Sequence, residues 1–307
     1  MTVMNQSDVI AVIVTFNPSG DVAGRMHAVA AEAQQIVVID NASDSAFRSQ
    51  LASIQNNISR PMECIWNERN RGLAVALNQG ITRALEKGAG WILLLDHDSQ
   101  PRPGMVACML KAYTARPSPE NIALIAPDIQ DENAGAATRY LFPRGKFGFR
   151  RTVLNQPFTE EVLTVITSGS LVKATTFRNM GLMPEAFFID YVDHAYCLRI
   201  RKRGAKILLV REAVLRHRLG EKTAHKLAGM TVVTANHSSF RRYYIFRNRV
   251  WVWKLYGRRF PGFVLHDLLA SGLDIFRILV YEKQKLPKLK SLCRGLAAGI
   301  GRSPADG

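Results

Sequence analysis

The sequence predicts an α/β fold built on a mostly parallel β-sheet and followed by a basic, helical C-terminal region. Three observations predict this class. Apolar runs of strand length alternate with helix-like stripes in the first half of the chain, which is typical of βαβ units with right-handed crossovers. Polar residues stand directly after those runs. Near residue 235 the composition becomes aromatic and basic with a helical pattern.

Apolar runs rich in valine and isoleucine predict strands that are buried on both faces, as in parallel sheets. The expected strands cover residues 9–16, 36–40, 62–66, 91–95 and 122–126. Apolar residues spaced by four between Leu73 and Leu85 predict an amphipathic helix that Gly88 ends. Residues 127–160 show little periodicity, so we expect a long loop that could act as a lid. The remaining expected elements are a strand over 162–173, a helix over 193–203 and a strand over 206–210.

The composition is that of a globular protein with an uneven charge. Hydrophobic residues make up 47% of the 307 residues and charged residues 21%, which excludes a disordered chain. The net charge is +16, and residues 201–307 carry 23 basic and 6 acidic residues, whereas residues 1–200 are nearly neutral. This asymmetry indicates a polyanionic neighbour, which could be nucleic acid, an anionic membrane surface or a phosphorylated substrate.

Three absences in the sequence bear on location. The four cysteines stand far apart with no CxxC pair, which argues against a disulfide scaffold and a zinc ribbon. The first residues lack the basic segment and the cleavage site of a signal peptide. No uninterrupted apolar run reaches the roughly 18 residues of a spanning helix. We therefore expect a cytoplasmic protein.

Polar residues end four of the predicted strands. They are Thr15, Asp40, Asn67 and Asp96. Because the carboxyl ends of parallel strands meet at one edge of the sheet, and ligands bind outside that edge, these residues predict a ligand site.

Asp96-His97-Asp98 follows the apolar strand at 91–95. Two carboxylates at this spacing can share a hard divalent cation with a diphosphate, because Mg²⁺ prefers oxygen ligands and substrate phosphates. The metal would neutralise charge that develops on a diphosphate leaving group. The alternative is a solvated acidic turn.

Two further segments are candidates for nucleotide binding. The carboxylate of Asp40 could accept a hydrogen bond from a pyrimidine N3–H or a ribose hydroxyl, whereas an Asx turn with Asn41 is the structural alternative. Asn70-Arg71-Gly72 opens the third helix, where backbone N–H groups favour anions, Gly72 permits close approach and Arg71 could meet phosphate. A simple helix cap is the alternative for this segment.

Asp193 precedes a predicted helix and could deprotonate an incoming hydroxyl group. It could equally be an N-terminal helix cap, a common role of aspartate, and Asp190 competes for the role of base. His217 follows a strand that returns to the sheet, so it could reach the metal or the diphosphate, although a lone histidine is more often structural.

The C-terminal region interleaves aromatic and basic side chains between residues 240 and 256. That pattern is compatible with single-stranded nucleic acid, with a membrane interface, or with a packed helix whose arginines reach outward. Residues 262–281 are apolar but contain charged residues, which suits an interfacial helix better than a spanning one. The basic segment 283–290 would add attraction to anionic lipid.

An ordered series of motifs resembles glycosyltransferase family 2, whose members have the GT-A fold. The motifs are VTFN (14–17), IDNAS (39–43), NRGLAVALNQGI (70–81), LLDHDS (94–99), TSGSL (167–171), FFIDYVDHAYCLR (187–199) and HRLG (217–220). The resemblance covers roughly residues 8–220. Residues 187–199 and the YYIFRNRV segment at 243–250 are most similar to the bacterial rhamnosyltransferase branch, which builds O-antigen and similar polysaccharides from dTDP-L-rhamnose.

The resemblance implies a nucleotide-sugar site. Thr15 and Asp40 would contact the base and ribose. Asn70, Arg71 and Gly72 would lie near the nucleotide.

The resemblance also implies the chemistry. Asp96 and Asp98 would form the DxD motif that holds Mg²⁺ or Mn²⁺, with Asp96 also near the nucleotide sugar. His217 would lie beside the metal or the diphosphate. Asp193 would be the base of a one-step inverting displacement.

The sequence departs from the family pattern around the base. The family's glutamate before the base is Val192 here, and the acidic residue two positions after the base is Ala195. Asp193 therefore has no carboxylate neighbours in the positions where the family usually has them.

The resemblance implies a GT-A catalytic domain at 1–235, with a donor half over about 1–100 and an acceptor half over about 101–235. Residues 236–307 would form a basic helical region at the membrane surface. The expected partners are a nucleotide-sugar donor and a saccharide or lipid-linked saccharide acceptor at the inner face of the plasma membrane, with no nucleic acid. Another donor such as a UDP-hexose stays open, as does a nucleic-acid-binding protein. A nucleotidyltransferase is disfavoured because VTFNPSGDV is poor in glycine.

Overall fold

The computed structural model describes residues 8–131, 137–217, 223–227, 230–302 and 304. The first elements are β1 (Val9–Thr15), α1 (Val22–Ala30), β2 (Gln35–Asp40), α2 (Ser45–Asn57), β3 (Met62–Trp66), α3 (Leu73–Glu86), β4 (Trp91–Asp96), β5 (Ser99–Pro101) and α4 (Met105–Thr114). The middle elements are β6 (Ile122–Asp131), β7 (Arg139–Arg144), β8 (Gly148–Val153), β9 (Phe158–Thr159), β10 (Leu171–Lys173), α5 (Ala174–Met180) and α6 (Val192–Lys202). The last are β11 (Lys206–His217), β12 (Thr223–Leu227), β13 (Met230–Thr234), α7 (Ser239–Tyr256), α8 (Pro261–Val280) and α9 (Lys285–Gly301).

The central sheet has the strand order β3-β2-β1-β4-β10-β6-β11-β5, and β9 pairs with β11. The strands β3, β2, β1 and β4 run parallel to one another, as do β6 and β11. Between these two parallel groups, β10 is antiparallel to both of its neighbours. The mostly parallel α/β sheet predicted from the sequence is confirmed.

The register of the sheet aligns the predicted site residues. Thr15 lies beside Asp40 across β1 and β2, Val14 lies beside Asp96 across β1 and β4, and Asp40 lies beside Trp66. The ends of these four strands therefore form one continuous edge, because neighbouring parallel strands stop at nearly the same level.

The core lies on both faces of the sheet. Val12 and Val14 of β1 pack in one layer with α3, α6 and α7, whereas Ala11 and Ile13 pack in the other with α1, α2 and α4. Successive side chains of a strand point to opposite faces. A strand covered on both sides must be apolar at every position, which explains the uninterrupted run in β1.

The interpretation of residues 127–160 as a long loop is wrong for the described part of the segment. There β6 continues to Asp131, β7 and β8 form an antiparallel hairpin, and β9 pairs with β11. Alternation gave no signal because Tyr140, Leu141 and Phe142 of β7 are all buried. Of the strand expected over 162–173 only β10 forms, since Gly169 adopts a φ of +82° that interrupts extended backbone.

The described part of the chain beyond residue 235 is mostly helical, as predicted, and contains α7, α8 and α9. Ser238 caps α7 by accepting a hydrogen bond from the backbone N–H of Arg241. Among the helices described, none is both long enough and apolar enough to cross a bilayer. Residues 218–220, the end of the HRLG motif, lie outside the described residues.

Candidate active site

Asp96, Asp98 and His217 come together at the carboxyl edge of the sheet. His217 Nε2 lies 3.9 Å from Asp96 Oδ2, and His217 Nδ1 lies 3.2 Å from Asp98 Oδ1. Two elements bring them there: β4 ends at Asp96, and β5 pairs antiparallel with the end of β11 so that Ser99 opposes His217. The strand that carries the histidine thus returns to the strand that carries the aspartates.

Two serine hydroxyls fix this arrangement. Ser99 Oγ lies 2.9 Å from His217 Nδ1 and shares a hydrogen bond with Ser168 Oγ. Ser168 Oγ also accepts a hydrogen bond of 3.0 Å from the backbone N–H of Asp96. Because both serines are buried, this chain ties the orientation of the imidazole to the end of β4.

The three side chains fit a divalent metal ion. One ligand atom from each of Asp96, Asp98 and His217 lies within 4.8 Å of the others. Asp98 Oδ1 is buried, and its 3.2 Å contact with His217 Nδ1 is not aligned as a hydrogen bond. A buried carboxylate oxygen that lacks a well-aligned donor is unfavourable unless a cation or another partner supplies the missing interaction.

The pKa directions reflect a crowded group of charges. Burial raises the pKa of Asp96, His217 opposes this, and Asp98 adds to it. Burial would also raise the pKa of Asp98, but the close contact with His217 and the charge of that ring lower it on balance. Burial would lower the pKa of His217, and the two aspartates outweigh burial and raise it. The two aspartates therefore stabilise positive charge on the His217 ring.

Thr15 and Asp40 are fully buried and bind each other rather than facing solvent. Thr15 Oγ1 donates to Asp40 Oδ1 at 3.2 Å, while Asp40 Oδ2 accepts from the Ser43 backbone N–H and from Arg48 Nε. The Arg48 guanidinium also donates to the carbonyl of Asn67. Asp40 thereby orders the backbone of the loop that follows β2. Its contact with the nucleotide stays a prediction.

Asn70, Arg71 and Gly72 form a turn that Asn41 holds. Asn41 Oδ1 accepts from the Arg71 backbone N–H at 3.0 Å, and Asn41 Nδ2 donates to Asn70 Oδ1 at 2.9 Å. Gly72 has a φ of +85°, and a Cβ there would lie 2.5 Å from the Phe188 ring. In this structure the missing side chain of Gly72 thus makes room for the ring of Phe188. The contacts expected between this turn and the nucleotide stay predictions.

Asp193 lies in the first turn of α6. Its charge contributes to the raised pKa values of both Asp96 and Arg241, so it lies within electrostatic range of both groups. Asp190 is engaged differently, because Arg241 binds it through both Nε and Nη2 at 2.8–3.1 Å. Asp193 accepts a 2.7 Å hydrogen bond from the backbone N–H of His194.

The segment before Asp193 is strained. Phe188, Asp190 and Tyr191 all have φ values between 60° and 63°. Such left-handed conformations cost about 1–3 kcal/mol each in residues other than glycine. They persist only where surrounding contacts hold them, so the partners of this segment, residues 186–191, matter for the position of Asp193.

Those partners come from α7. The Asn248 carboxamide donates to the backbone oxygens of Phe187, Ile189 and Asp190 at 2.8–2.9 Å. Arg249 Nε donates to the Tyr191 hydroxyl at 2.6 Å. A buried helix of the C-terminal region therefore braces the strained segment that precedes Asp193.

Comparison with known proteins identifies the family. The family model described as "Glycosyl transferase family 2" matches residues 10–174. The dTDP-rhamnosyl transferase RfbF of Shigella flexneri is 31% identical over 306 residues, which cover 96% of each chain. The chain belongs to glycosyltransferase family 2. It is therefore a glycosyltransferase.

Solved structures confirm the GT-A fold of this family 2 glycosyltransferase. GalNAc-T7, solved with UDP, GalNAc and Mn²⁺, superposes with a TM-score of 0.62 at 16% identity over 95% of this chain and 57% of that one. Residues 1–349 of TarS from S. aureus superpose with a TM-score of 0.60 at 12% identity, over 95% and 81% of the two chains. The same TarS fragment with UDP-GlcNAc gives a TM-score of 0.59.

Sequence reasoning missed several side chains that shape the site of this glycosyltransferase. They are Arg48, Ser99, Ser168, Arg241 and Asn248. A signal existed for Ser168, which lies in the TSGSL motif, and for Arg241 and Asn248, which flank or lie within the YYIFRNRV segment. Arg48 carried no signal, because a lone arginine on an amphipathic helix resembles any solvated residue.

Proposed function

We propose that this enzyme transfers L-rhamnose from dTDP-L-rhamnose to a hydroxyl of a saccharide acceptor, with inversion at the anomeric carbon. The observation that carries the chemistry is the Asp96, Asp98 and His217 group at the carboxyl edge of the sheet, within electrostatic range of Asp193. The donor is supported by the 31% identity to a dTDP-rhamnosyl transferase along nearly the whole of both chains. A likeness that spans both chains includes the acceptor side and the C-terminal helices.

On the donor side, Asp96 and Asp98 with His217 would hold a divalent ion, Mg²⁺ or Mn²⁺. When bound, such an ion neutralises the charge that develops on the departing diphosphate. Ser99 and Ser168 keep the histidine and the end of β4 in register, so the ligand atoms need little rearrangement. Preorganised charge of this kind is a large contributor to catalysis of group transfer.

On the acceptor side, Asp193 would be the base. The acceptor oxygen attacks the anomeric carbon from the face opposite the diphosphate, the bond to the diphosphate oxygen breaks, and Asp193 takes the hydroxyl proton. A carboxylate at a helix N-terminus is a weak base, so it takes the proton late, as the new bond forms. Asp190 suits this role less well because Arg241 engages its carboxylate with two nitrogens.

For the nucleotide we propose that the edge formed by Thr15, Asp40, Asn70, Arg71 and Gly72 binds the base, ribose and diphosphate. Arg71 is exposed at this edge, and an arginine there can meet phosphate oxygens. Thr15 and Asp40 would act largely by ordering the neighbouring backbone, since both are fully buried.

We propose a catalytic domain at 1–235, with a donor half over about 1–100 and an acceptor half over about 101–235, and a C-terminal region at 236–307. The matched family segment, 10–174, lies wholly within the first. We also propose that the acceptor is lipid-linked and that the enzyme works at the inner face of the plasma membrane. The basic excess of residues 201–307 supports a polyanionic surface as its neighbour.

The nucleic-acid alternative is disfavoured by the packing of α7. Stacking of bases requires aromatic rings that face solvent. Of the α7 aromatic residues, Phe246, Trp251 and Tyr256 are buried in the core, and Phe240 is the one that is largely exposed. The basic residues Arg242 and Arg249 are likewise buried and paired with carboxylates.

The test is calorimetric titration of the enzyme with dTDP-rhamnose and with UDP-glucose, each in Mg²⁺ and in EDTA. We expect binding of dTDP-rhamnose that is tighter than that of UDP-glucose and is weakened by EDTA. Preference for UDP-glucose would keep the glycosyltransferase and replace the donor. Equal binding with and without metal would remove the metal from the donor site.

A further inference from the structure

Helix α8 exposes its apolar side chains and wholly or partly buries its charged ones, which is the reverse of the usual arrangement in a surface helix. Every exposed residue between 261 and 280 is apolar or glycine. The apolar α8 face comprises Leu265, Leu268, Leu269, Leu273, Phe276 and Leu279, each between 41% and 57% exposed. These positions recur at intervals of three and four, so they form one stripe along the helix.

The charged residues of α8 point the other way. Asp267 is buried and accepts hydrogen bonds from Tyr191 and from the indole of Trp253. Asp274 pairs with Arg249 of α7 and with Arg277. The helix thus uses its polar groups to attach to the catalytic region, and leaves its leucines without a partner among the described residues.

An apolar stripe of this length indicates that another apolar surface covers it. At 1.5 Å per residue, α8 is about 30 Å long. Contiguous apolar patches on soluble monomers rarely exceed a few hundred square ångströms, and larger ones mark interaction sites or membrane contacts.

The charges around the stripe identify the kind of occupant. Arg258 and Arg259 precede α8, and Lys283, Lys285 and Lys290 follow it, all exposed. The acidic residues described between 235 and 302 are Asp267, Asp274 and Glu282, and each of them pairs with arginine or lysine. The surface near the stripe therefore carries uncompensated positive charge.

We propose that the apolar α8 face docks onto an anionic bilayer surface, with α8 lying parallel to the membrane. Leucine and phenylalanine side chains would enter the boundary of the acyl chains, while the flanking lysines and arginines contact anionic headgroups. A second copy of the chain fits less well, because a symmetric contact would bring the same positive charges together. This inference rests on the proposed membrane location, which it narrows to one helix face.

The experiment compares two matched variants of the full chain. Leu268→Gln with Leu273→Gln makes the stripe polar, whereas Leu268→Met with Leu273→Met keeps it apolar at similar volume. Each is sedimented with vesicles of phosphatidylglycerol and phosphatidylcholine, and with vesicles of phosphatidylcholine alone. We expect the glutamine variant to bind anionic vesicles roughly tenfold more weakly than the wild type, and the methionine variant to bind as the wild type does.

Two results would overturn the proposal. One is equal binding of the wild type and the glutamine variant to anionic vesicles. The other is a wild-type dimer, measured by analytical ultracentrifugation, that the glutamine pair converts to a monomer, since the stripe would then be an interface between copies. Donor titration of the same samples distinguishes the two proposals. If the wild type binds vesicles but not the donor, the proposed function is wrong. If it binds the donor but not vesicles, the proposed docking face is wrong.

Discussion

Helices α7 and α8 follow each other in the chain, yet they place their apolar and polar side chains in opposite ways. In α7 the polar side chains of Arg242, Asn248 and Arg249 are buried, and each has a partner. In α8 the apolar side chains of the α8 face are exposed. The difference shows that composition alone does not determine which face of a helix meets the protein and which meets its surroundings.

The two helices are nevertheless coupled through one residue. The Tyr191 hydroxyl accepts from Arg249 of α7 and donates to Asp267 of α8. Tyr191 belongs to the strained segment that leads to Asp193. The C-terminal helices thus contact the segment that leads to the candidate base and also carry the apolar α8 face. Variants can separate the effect on turnover from the effect on membrane binding.

The largest effect on turnover is expected at Asp193, which follows the segment that α7 contacts. Asp193→Asn removes the proposed base without changing the size of the side chain. We expect kcat to fall by about a thousandfold, within the range that loss of a general base produces. Donor affinity, measured by titration with dTDP-rhamnose, should stay within about threefold because the role proposed for Asp193 concerns the acceptor hydroxyl and not the donor. Normal turnover would remove Asp193 from the mechanism.

The second effect tests whether α7 positions the base. Asn248→Ala removes the hydrogen bonds to the carbonyls of Phe187, Ile189 and Asp190. We expect kcat to fall by about a hundredfold with little change in donor affinity, since a misplacement of about 1 Å has that consequence. Steady-state kinetics with the donor titration measure this split.

Arg258→Ala is the matched control for this variant, because Arg258 is exposed beyond the end of α7. It should leave both constants unchanged. If Asn248→Ala lowers the melting temperature but leaves kcat intact, α7 stabilises the fold without positioning Asp193.

The third effect concerns membrane binding and the basic residues that flank α8. Lys283→Gln with Lys285→Gln removes two exposed positive charges next to the apolar α8 face. Each basic residue near an anionic surface contributes about 1 kcal/mol, so binding to phosphatidylglycerol vesicles should weaken by about tenfold or more. Binding to phosphatidylcholine vesicles should not change. Equal loss on both vesicle types would mean that the lysines act through folding rather than charge.

The sequence predicted those parts of the molecule that local pattern determines. Continuous apolar runs identified the parallel strands, and the polar residues at their ends identified the edge where Asp96 lies. The strand before His217 was expected to return to the sheet, and in the structure it brings His217 next to Asp96 and Asp98. These features depend on neighbours in the chain and on the geometry common to parallel sheets.

The remaining features depend on contacts between distant segments. Hairpin β7–β8 was missed because three consecutive residues of β7 are buried, so no alternation exists. The strain at Phe188, Asp190 and Tyr191 could not be foreseen, because none of them is glycine. The partners of Asn248 lie about sixty residues earlier, and no spacing rule connects a helix to so remote a segment.

The smallest effect distinguishes the two candidate bases, which lie three residues apart. Asp190→Asn keeps an oxygen that can accept from Arg241, and the backbone bond from Asn248 to Asp190 is unchanged. We therefore expect kcat to fall only by about threefold, which corresponds to the loss of one charge-assisted contact at a partly exposed pair. Asp193→Asn measured beside it gives the reference. If the Asp190 variant proved as inactive as the Asp193 variant, the pair with Arg241 would belong to the chemistry, and α7 would contribute a catalytic residue rather than a brace.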